Sequence, residues 1–119
     1  MSGSAAQPLW LGTLSLRPGL ADLTRWTDVE RGAVQAHFEA LQAQEREGRL
    51  VIAGRSQDME AENRLAEDTM GIVLFHAANR EEAESIMQAD PAVRAGVMRY
   101  QLRSFTIAVA RGGLAGEEA

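Results

Sequence analysis

The stretch TDVERGAVQAHFEALQAQEREGRLVIAG, residues 27–54, carries the signals of a helix and of the strand that follows it. Thr27 and Glu30 form a capping box, in which each side chain can hydrogen-bond to the backbone amide of the other residue. Apolar side chains then recur with helical spacing, and Gly48 suits the left-handed residue that ends a helix. The pattern predicts a helix over about residues 28–47 with a short strand after it.

The rest of the chain adds three strands and a second helix. Asn79 and Glu82 form another capping box, which predicts a helix as far as Ala89. Asp90 and Pro91 then end this helix and predict a further short helical turn. The predicted strands cover residues 9–16, 50–54, 70–75 and 97–109.

The order of these elements is β-α-β-β-α-β. This order is typical of the ferredoxin-like α+β fold, a four-stranded antiparallel sheet with two helices on one face. The helices cover only that face, whereas several strands also carry apolar residues on the other. We therefore expect the sheet faces of two copies to pack together in a homodimer.

The chain has the length of one domain, which we place at residues 8–111. The segments 1–7 and 112–119 are small and polar, and we expect both to be flexible termini. Residues 56–69 are highly charged with few apolar side chains. We expect them to form a mobile connection, long enough to serve as a lid or an interface arm.

The composition excludes several kinds of chemistry. The 119 residues include no cysteine and no lysine, so all 12 permanently cationic side chains are arginines. A thiolate nucleophile, a disulfide, a cysteine metal cluster and a lysine Schiff base are therefore ruled out. Catalysis must come from the two histidines, from carboxylates, hydroxyls and arginines, or from a cofactor.

Charge and hydropathy limit the partners. The net charge of −5 argues against nucleic acid, which normally requires a basic face. The start of the chain lacks the pattern of a secretory signal, and no apolar run approaches the about 20 residues of a membrane span. We expect a cytoplasmic protein with no nucleic-acid partner and no membrane contact, which the lack of cysteine fits.

Five short segments form a set with a recognisable order and spacing. They are HFEAL at 37–41, EGRL at 47–50, AG at 53–54, ADP at 89–91 and AGV at 95–97. Together they resemble the YciI-like family, also described as the YCII-related domain. That family has a helix histidine, a glycine eleven residues later, an Ala-Gly pair ending the next strand, and an Ala-Asp-Pro…Ala-Gly-Val segment before the last strand.

The resemblance covers about residues 9–109. It implies a ferredoxin-like subunit that dimerises through its sheets, related in architecture to muconolactone isomerases. It also implies a His-Asp pair, which here falls on His37 and Asp90. This chain departs from the family pattern at Arg55, where a proline is common, and at Ala92, where an aromatic residue is often found.

The residues themselves leave two interpretations open for each member of this pair. His37 lies on the apolar stripe of the first helix, where a neutral imidazole can act as an acid or base or can be a hydrogen-bonded structural residue. Asp90 is suited to capping the turn that begins at Pro91. Capping and catalysis are compatible, because a carboxylate held by backbone amides can also orient an imidazole.

Other polar residues are weaker candidates. Arg55, at the end of the second strand, can bind a substrate carboxylate or phenolate oxygen, or pair with a nearby glutamate. Tyr100 can supply a hydroxyl to a substrate pocket or simply pack. We expect Arg99 and Arg103 in ion pairs at the dimer interface, and His76 at a solvent-facing strand end.

The leading hypothesis is a cofactor-independent acid–base enzyme of the isomerase or lyase type, acting on a small organic or aromatic acid. No metal is expected, because no H-E-x-x-H or comparable spacing occurs.

The alternative is a non-catalytic dimeric module that binds a small ligand or regulates a partner. It predicts a fully buried His37, bonded to backbone and without a cavity beside it. A haem-dependent or cofactor-free oxygenase would need a large apolar pocket, which the 5% aromatic content supports poorly.

Overall fold

A computed structural model describes residues 7–112. Four strands form one antiparallel sheet in the order β2-β5-β1-β6, and β3 pairs with β4 in a separate hairpin. This arrangement confirms the predicted α+β, ferredoxin-like fold. The elements are β1 (Leu9–Leu16), α1 (Asp28–Arg46), β2 (Leu50–Arg55), β3 (Met59–Ala61), β4 (Arg64–Leu65), β5 (Met70–His76), α2 (Arg80–Gln88), α3 (Pro91–Arg94) and β6 (Met98–Phe105), with a 3-10 helix at Leu23–Arg25.

The capping box at the start of α1 forms as the sequence predicts. The Thr27 hydroxyl accepts a hydrogen bond from the amide of Val29, and Glu30 Oε1 accepts one from the amide of Thr27 at 2.6 Å. The other oxygen of Glu30 lies 3.0 Å from the guanidinium of Arg17, just after β1. Hydrogen bonds from Thr27 are the main reason why the pKa of Glu30 falls from 4.5 to about 2. One buried carboxylate therefore caps α1 and ties it to the end of β1.

The main core lies between the helices and one face of the sheet. Gly12 in β1 lets α2 lie close against the sheet, since a Cβ atom at this position would lie 2.6 Å from the Met87 methyl of α2. Close packing of this kind leaves little room for added atoms. The buried residues of this core are Trp10, Leu14, Val73, Phe75, Ala77, Ala83 and Met87.

The opposite face of the sheet also carries apolar side chains. Leu9 of β1 lies opposite Phe105 of β6. Leu74 of β5 lies opposite Leu11 of β1 on one side and Ile52 of β2 on the other. Ile52 is 46% exposed and Phe105 is 38% exposed. These exposed apolar side chains agree with the prediction that the helices cover only one face of the sheet.

Two predicted elements need correction. We expected residues 56–69 to be a mobile connection, but they contain the β3–β4 hairpin, whose turn places Asn63 at a φ of 61°. The hairpin bonds to the loop after β1, and such long-range pairing has no local sequence signal. The last strand was predicted to reach Val109 but ends at Phe105, where its partner strand β1 begins at Leu9. The expected flexible termini fall mainly on residues 1–6 and 113–119, outside the described residues.

Candidate functional site

His37 and Asp90 meet although 53 residues separate them in the chain. His37 lies in the middle of α1, and Asp90 is the N-cap of α3. The distance between His37 Nδ1 and Asp90 Oδ1 is 2.7 Å, and the two side chains are 12% and 9% exposed. This is the distance of a hydrogen bond between charged or strongly polar groups.

The carboxylate of Asp90 is fixed by backbone bonds as well. Its Oδ2 accepts hydrogen bonds from the amides of Ala92 at 2.9 Å and Val93 at 3.2 Å. Oδ1 is thus left to accept from the imidazole, so we assign the ring proton to Nδ1 and the lone pair to Nε2. Capping and imidazole orientation, which the sequence left as two separate roles for Asp90, occur together.

The imidazole lies on the wall of a cavity of about 670 Å³ between α1, the β2–β5 side of the sheet and the hairpin. Asp90 is not part of that wall and engages the ring through Nδ1, which leaves Nε2 for another partner. Within residues 7–112, Nε2 has no hydrogen-bond partner. The wall is mostly apolar, and its polar residues are Ser15, His37, Gln42, Glu45, Arg55 and Thr69.

Arg55 lies on the wall of the same cavity as His37. Its Nη1 donates to the carbonyl oxygen of Ser56 at 3.1 Å. The expected glutamate partner does not appear, since no carboxylate among residues 7–112 lies within ion-pair distance of the guanidinium. Arg55 is exposed, so it lies where the cavity meets the surface, on the same wall as His37.

Tyr100 lies elsewhere. Its hydroxyl donates to the Glu84 carboxylate and accepts from Gln88 Nε2 at 3.1 Å, so it joins β6 to α2 and does not line the cavity. Burial, followed by the hydrogen bond to Glu84, raises the pKa of Tyr100 above its usual 10.0. His76 ends β5, where its Nδ1 donates to the carbonyl oxygen of Gln7 at 2.8 Å, also away from the cavity.

One wall of the cavity could not be predicted from the sequence. Leu23 and Trp26 come from the loop between β1 and α1, and Leu65 comes from the hairpin. Leu65 is 8% exposed although the segment around it is highly charged. A lone leucine in a charged segment was the only available signal, and it does not say what the residue packs against.

Two further findings concern the described residues only. Residues 7–112 contain no group of three or more histidine, aspartate or glutamate side chains arranged to hold a metal ion. None of their helices has both the length and the apolar character needed to cross a membrane. The largely buried His37 bonds to a carboxylate and lines a cavity, whereas the non-catalytic alternative predicts a bond to backbone and no cavity.

Comparisons with known proteins agree with this architecture. A family model described as the YCII-related domain matches residues 17–106. A solved structure of 5-chloro-2-hydroxyhydroquinone dehydrochlorinase from Burkholderia phenoliruptrix AC1100, in complex with 2,5-dihydroxybenzoquinone, superposes with a TM-score of 0.61. The two chains are 18% identical, and the match covers 82% of this chain and 93% of that chain. A search of curated proteins gave no match.

Proposed function

This chain belongs to the YCII-related domain family, and from that premise we propose that it is a cofactor-independent acid–base enzyme of the isomerase or lyase type. Its substrate is a small organic or aromatic acid that enters the cavity beside His37. The observation that carries the proposal is the 2.7 Å contact between His37 Nδ1 and Asp90 Oδ1, which orients an imidazole that lines that cavity.

His37 acts as the base through Nε2. The ring accepts a proton from an acidic carbon or hydroxyl of the substrate, and the imidazolium that forms is stabilised by the carboxylate of Asp90. Asp90 need not move during this step, because the amides of Ala92 and Val93 hold its other oxygen. A positioned base of this kind contributes about 10²–10⁴-fold in rate.

Two reaction types need only this proton transfer. In an isomerisation, His37 returns the proton to a different carbon, so the substrate's double bond moves and no atom is lost. In an elimination from a chlorinated hydroxyhydroquinone, the substrate reacts as the keto tautomer in which a proton has moved from a hydroxyl to the carbon that bears chlorine. His37 accepts the proton of another hydroxyl, the O–H electron pair forms a C=O bond, and the ring double bond shifts. Chloride leaves with the electron pair of the C–Cl bond, so the products are a quinone and HCl. The structural neighbour is named a dehydrochlorinase, so a chlorinated hydroxyhydroquinone is the first elimination substrate to test.

Arg55 binds the anionic end of the substrate. Arg55 lines the same cavity as His37, and its guanidinium lacks a carboxylate partner among residues 7–112. A guanidinium matches the two oxygens of a carboxylate and also stabilises a phenolate. Binding there favours the ionised substrate and leaves its ring in the apolar part of the cavity.

The working form is a homodimer that packs through the open sheet faces. The exposed Ile52 and Phe105 support this proposal, because the burial of such apolar side chains under a second sheet stabilises a dimer. Location in the cytoplasm stays a prediction from the sequence.

Turnover by His37→Ala tests the proposal, with His76→Ala as a matched control outside the cavity. Chloride release from chlorinated hydroxyhydroquinones is the assay, and gel filtration and circular dichroism report the assembly and the fold. We expect His37→Ala to lower kcat by about 10²–10⁴-fold, with fold and assembly kept. Equal activity of the two variants would remove His37 from the mechanism. Ligand binding by the wild type without turnover of any tested acid would instead support the non-catalytic binding module.

A further inference from the structure

The β3–β4 hairpin is attached to the loop after β1 and not to the main sheet. The amide of Leu65 donates to the carbonyl oxygen of Ala21, and the amide of Leu23 donates to that of Asn63, both at 2.8 Å. Two reciprocal backbone bonds of this kind fix the hairpin and the loop against each other. The two segments therefore form one unit, which we call the hairpin wall (residues 21–26 and 58–66).

A single carboxylate connects both halves of the hairpin wall. Asp22 Oδ1 accepts from the amide and hydroxyl of Thr24, at 3.0 and 2.6 Å, and so caps the 3-10 helix. Asp22 Oδ2 lies 3.4 Å from Arg64 Nη2 on the hairpin. The ion pair is partly exposed, so its energetic contribution is small, and it links the loop to β4 beside the two backbone bonds.

The hairpin wall presents apolar side chains to the cavity that contains His37. Leu23, Trp26 and Leu65 all line it, and Leu65 is 8% exposed. None of these three side chains can accept a hydrogen bond from a substrate hydroxyl. A polar substituent placed against them would lose its water without gaining a partner, which is unfavourable.

We propose that Leu23 and Leu65 determine the size of the ring substituent that the cavity admits, and that the Asp22–Arg64 pair positions them. This inference rests on the proposed function, since it takes a substrate ring to occupy the cavity. The wall selects small or apolar substituents on the part of the ring that faces it. An apolar wall of this kind lowers the binding affinity by about tenfold or more for each additional methylene that does not fit.

Binding of alkylphenols tests the inference without requiring turnover. Dissociation constants for phenol, 4-ethylphenol and 4-butylphenol are measured by calorimetry on the wild type and on variants of Leu65. We expect Leu65→Ala to raise the affinity for butylphenol relative to that for phenol by about tenfold. Leu65→Phe should lower the same affinity ratio. Leu102→Ala, outside the cavity on β6, is the matched control and should leave the ratio unchanged.

The role of the ion pair is tested with Arg64→Gln. A displaced wall admits longer substituents, so the butylphenol-to-phenol ratio should move in the same direction as in Leu65→Ala. Arg103→Gln changes an exposed arginine of β6 outside the cavity, where its Nη2 donates to Gln101 Oε1 at 3.1 Å, and should have no effect. An unchanged ratio in Arg64→Gln would overturn the positioning role.

Two other outcomes would overturn the size selection. One is an identical ratio in all Leu65 variants, including Leu65→Phe, whose larger side chain keeps the wall apolar. The other is failure of every phenol to bind, which would show that the cavity does not accept rings. Neither outcome decides the role of His37, because the chloride-release assay measures that role separately.

Discussion

Replacing Asp90 by asparagine separates the two roles of this side chain. The oxygen that accepts from the amides of Ala92 and Val93 must be kept, because those two donors have no other partner at the start of α3. The asparagine carbonyl therefore takes the place of Oδ2, and its NH₂ group takes the place of Oδ1. A donor then faces His37 Nδ1, so the imidazole must turn to the tautomer with its proton on Nε2. That tautomer has no lone pair available to the cavity.

The two roles of Asp90 contribute different amounts of free energy. Asparagine is about as good an N-cap as aspartate, and the lost charge at a helix start is worth about 0.3–1 kcal/mol. Stability should therefore fall by at most about 1 kcal/mol. Loss of the correct tautomer should lower kcat by about 10²–10⁴-fold, equivalent to about 3–5 kcal/mol of the activation free energy. The catalytic effect should exceed the effect on folding severalfold.

Three measurements on Asp90→Asn check this reasoning. Steady-state kinetics gives kcat, thermal unfolding gives the stability, and long-range proton–nitrogen NMR spectra identify which ring nitrogen of His37 carries the proton. Asp90→Ala is the comparison, since it removes both the cap and the acceptor and should cost about 0.5–2 kcal/mol of stability. Wild-type kcat in Asp90→Asn, with the proton shown on Nε2, would refute the claim that this pair catalyses the reaction.

Two other predictions concern titrating groups outside the cavity. The pKa of Glu30 is lowered from 4.5 to about 2, so its contribution to stability is complete above pH 4.5 and is lost as the pH falls through about 2. Thermal unfolding should therefore show Glu30→Gln less stable than the wild type at pH 7, with a difference that shrinks below pH 4.5; a difference independent of pH would contradict this. Tyr100 is the only tyrosine, so near-ultraviolet absorbance reports its ionisation directly. Its midpoint should lie above 10.0, and Glu84→Gln should lower it, since the carboxylate opposes the phenolate; a midpoint unmoved by that change would show that Glu84 has no part in the shift.

The parts of the fold that could be predicted are those with local signals. Thr27 with Glu30 and Asn79 with Glu82 are pairs three residues apart, and both helices begin where these pairs predict. The end of β6 could not be predicted in this way, because it depends on where β1 begins, far away in the chain.

The candidate site was predictable only in part, for the same reason. His37 and Asp90 were named from a resemblance, while their contact depends on α1 and α3 packing together. Arg55 was expected at the end of β2, and the register of that strand places it on the cavity wall. Tyr100 was given two roles, and its hydroxyl bonds to Glu84 on α2, away from the cavity. Leu65 was missed, because the backbone bonds that bury it are to residues 21–23.

Proton exchange tests the central claim most directly, because it observes the step that His37 is proposed to perform. The ring C–H protons of 2,5-dihydroxybenzoquinone, an acidic small ring compound, can be followed by NMR in deuterated water with and without the protein. Wild type and His76→Ala should accelerate their exchange for deuterium, and His37→Ala should reduce the acceleration by about 10²–10⁴-fold. Equal acceleration by His37→Ala, or none by the wild type when the quinone is bound, would contradict the assignment of His37 as the base.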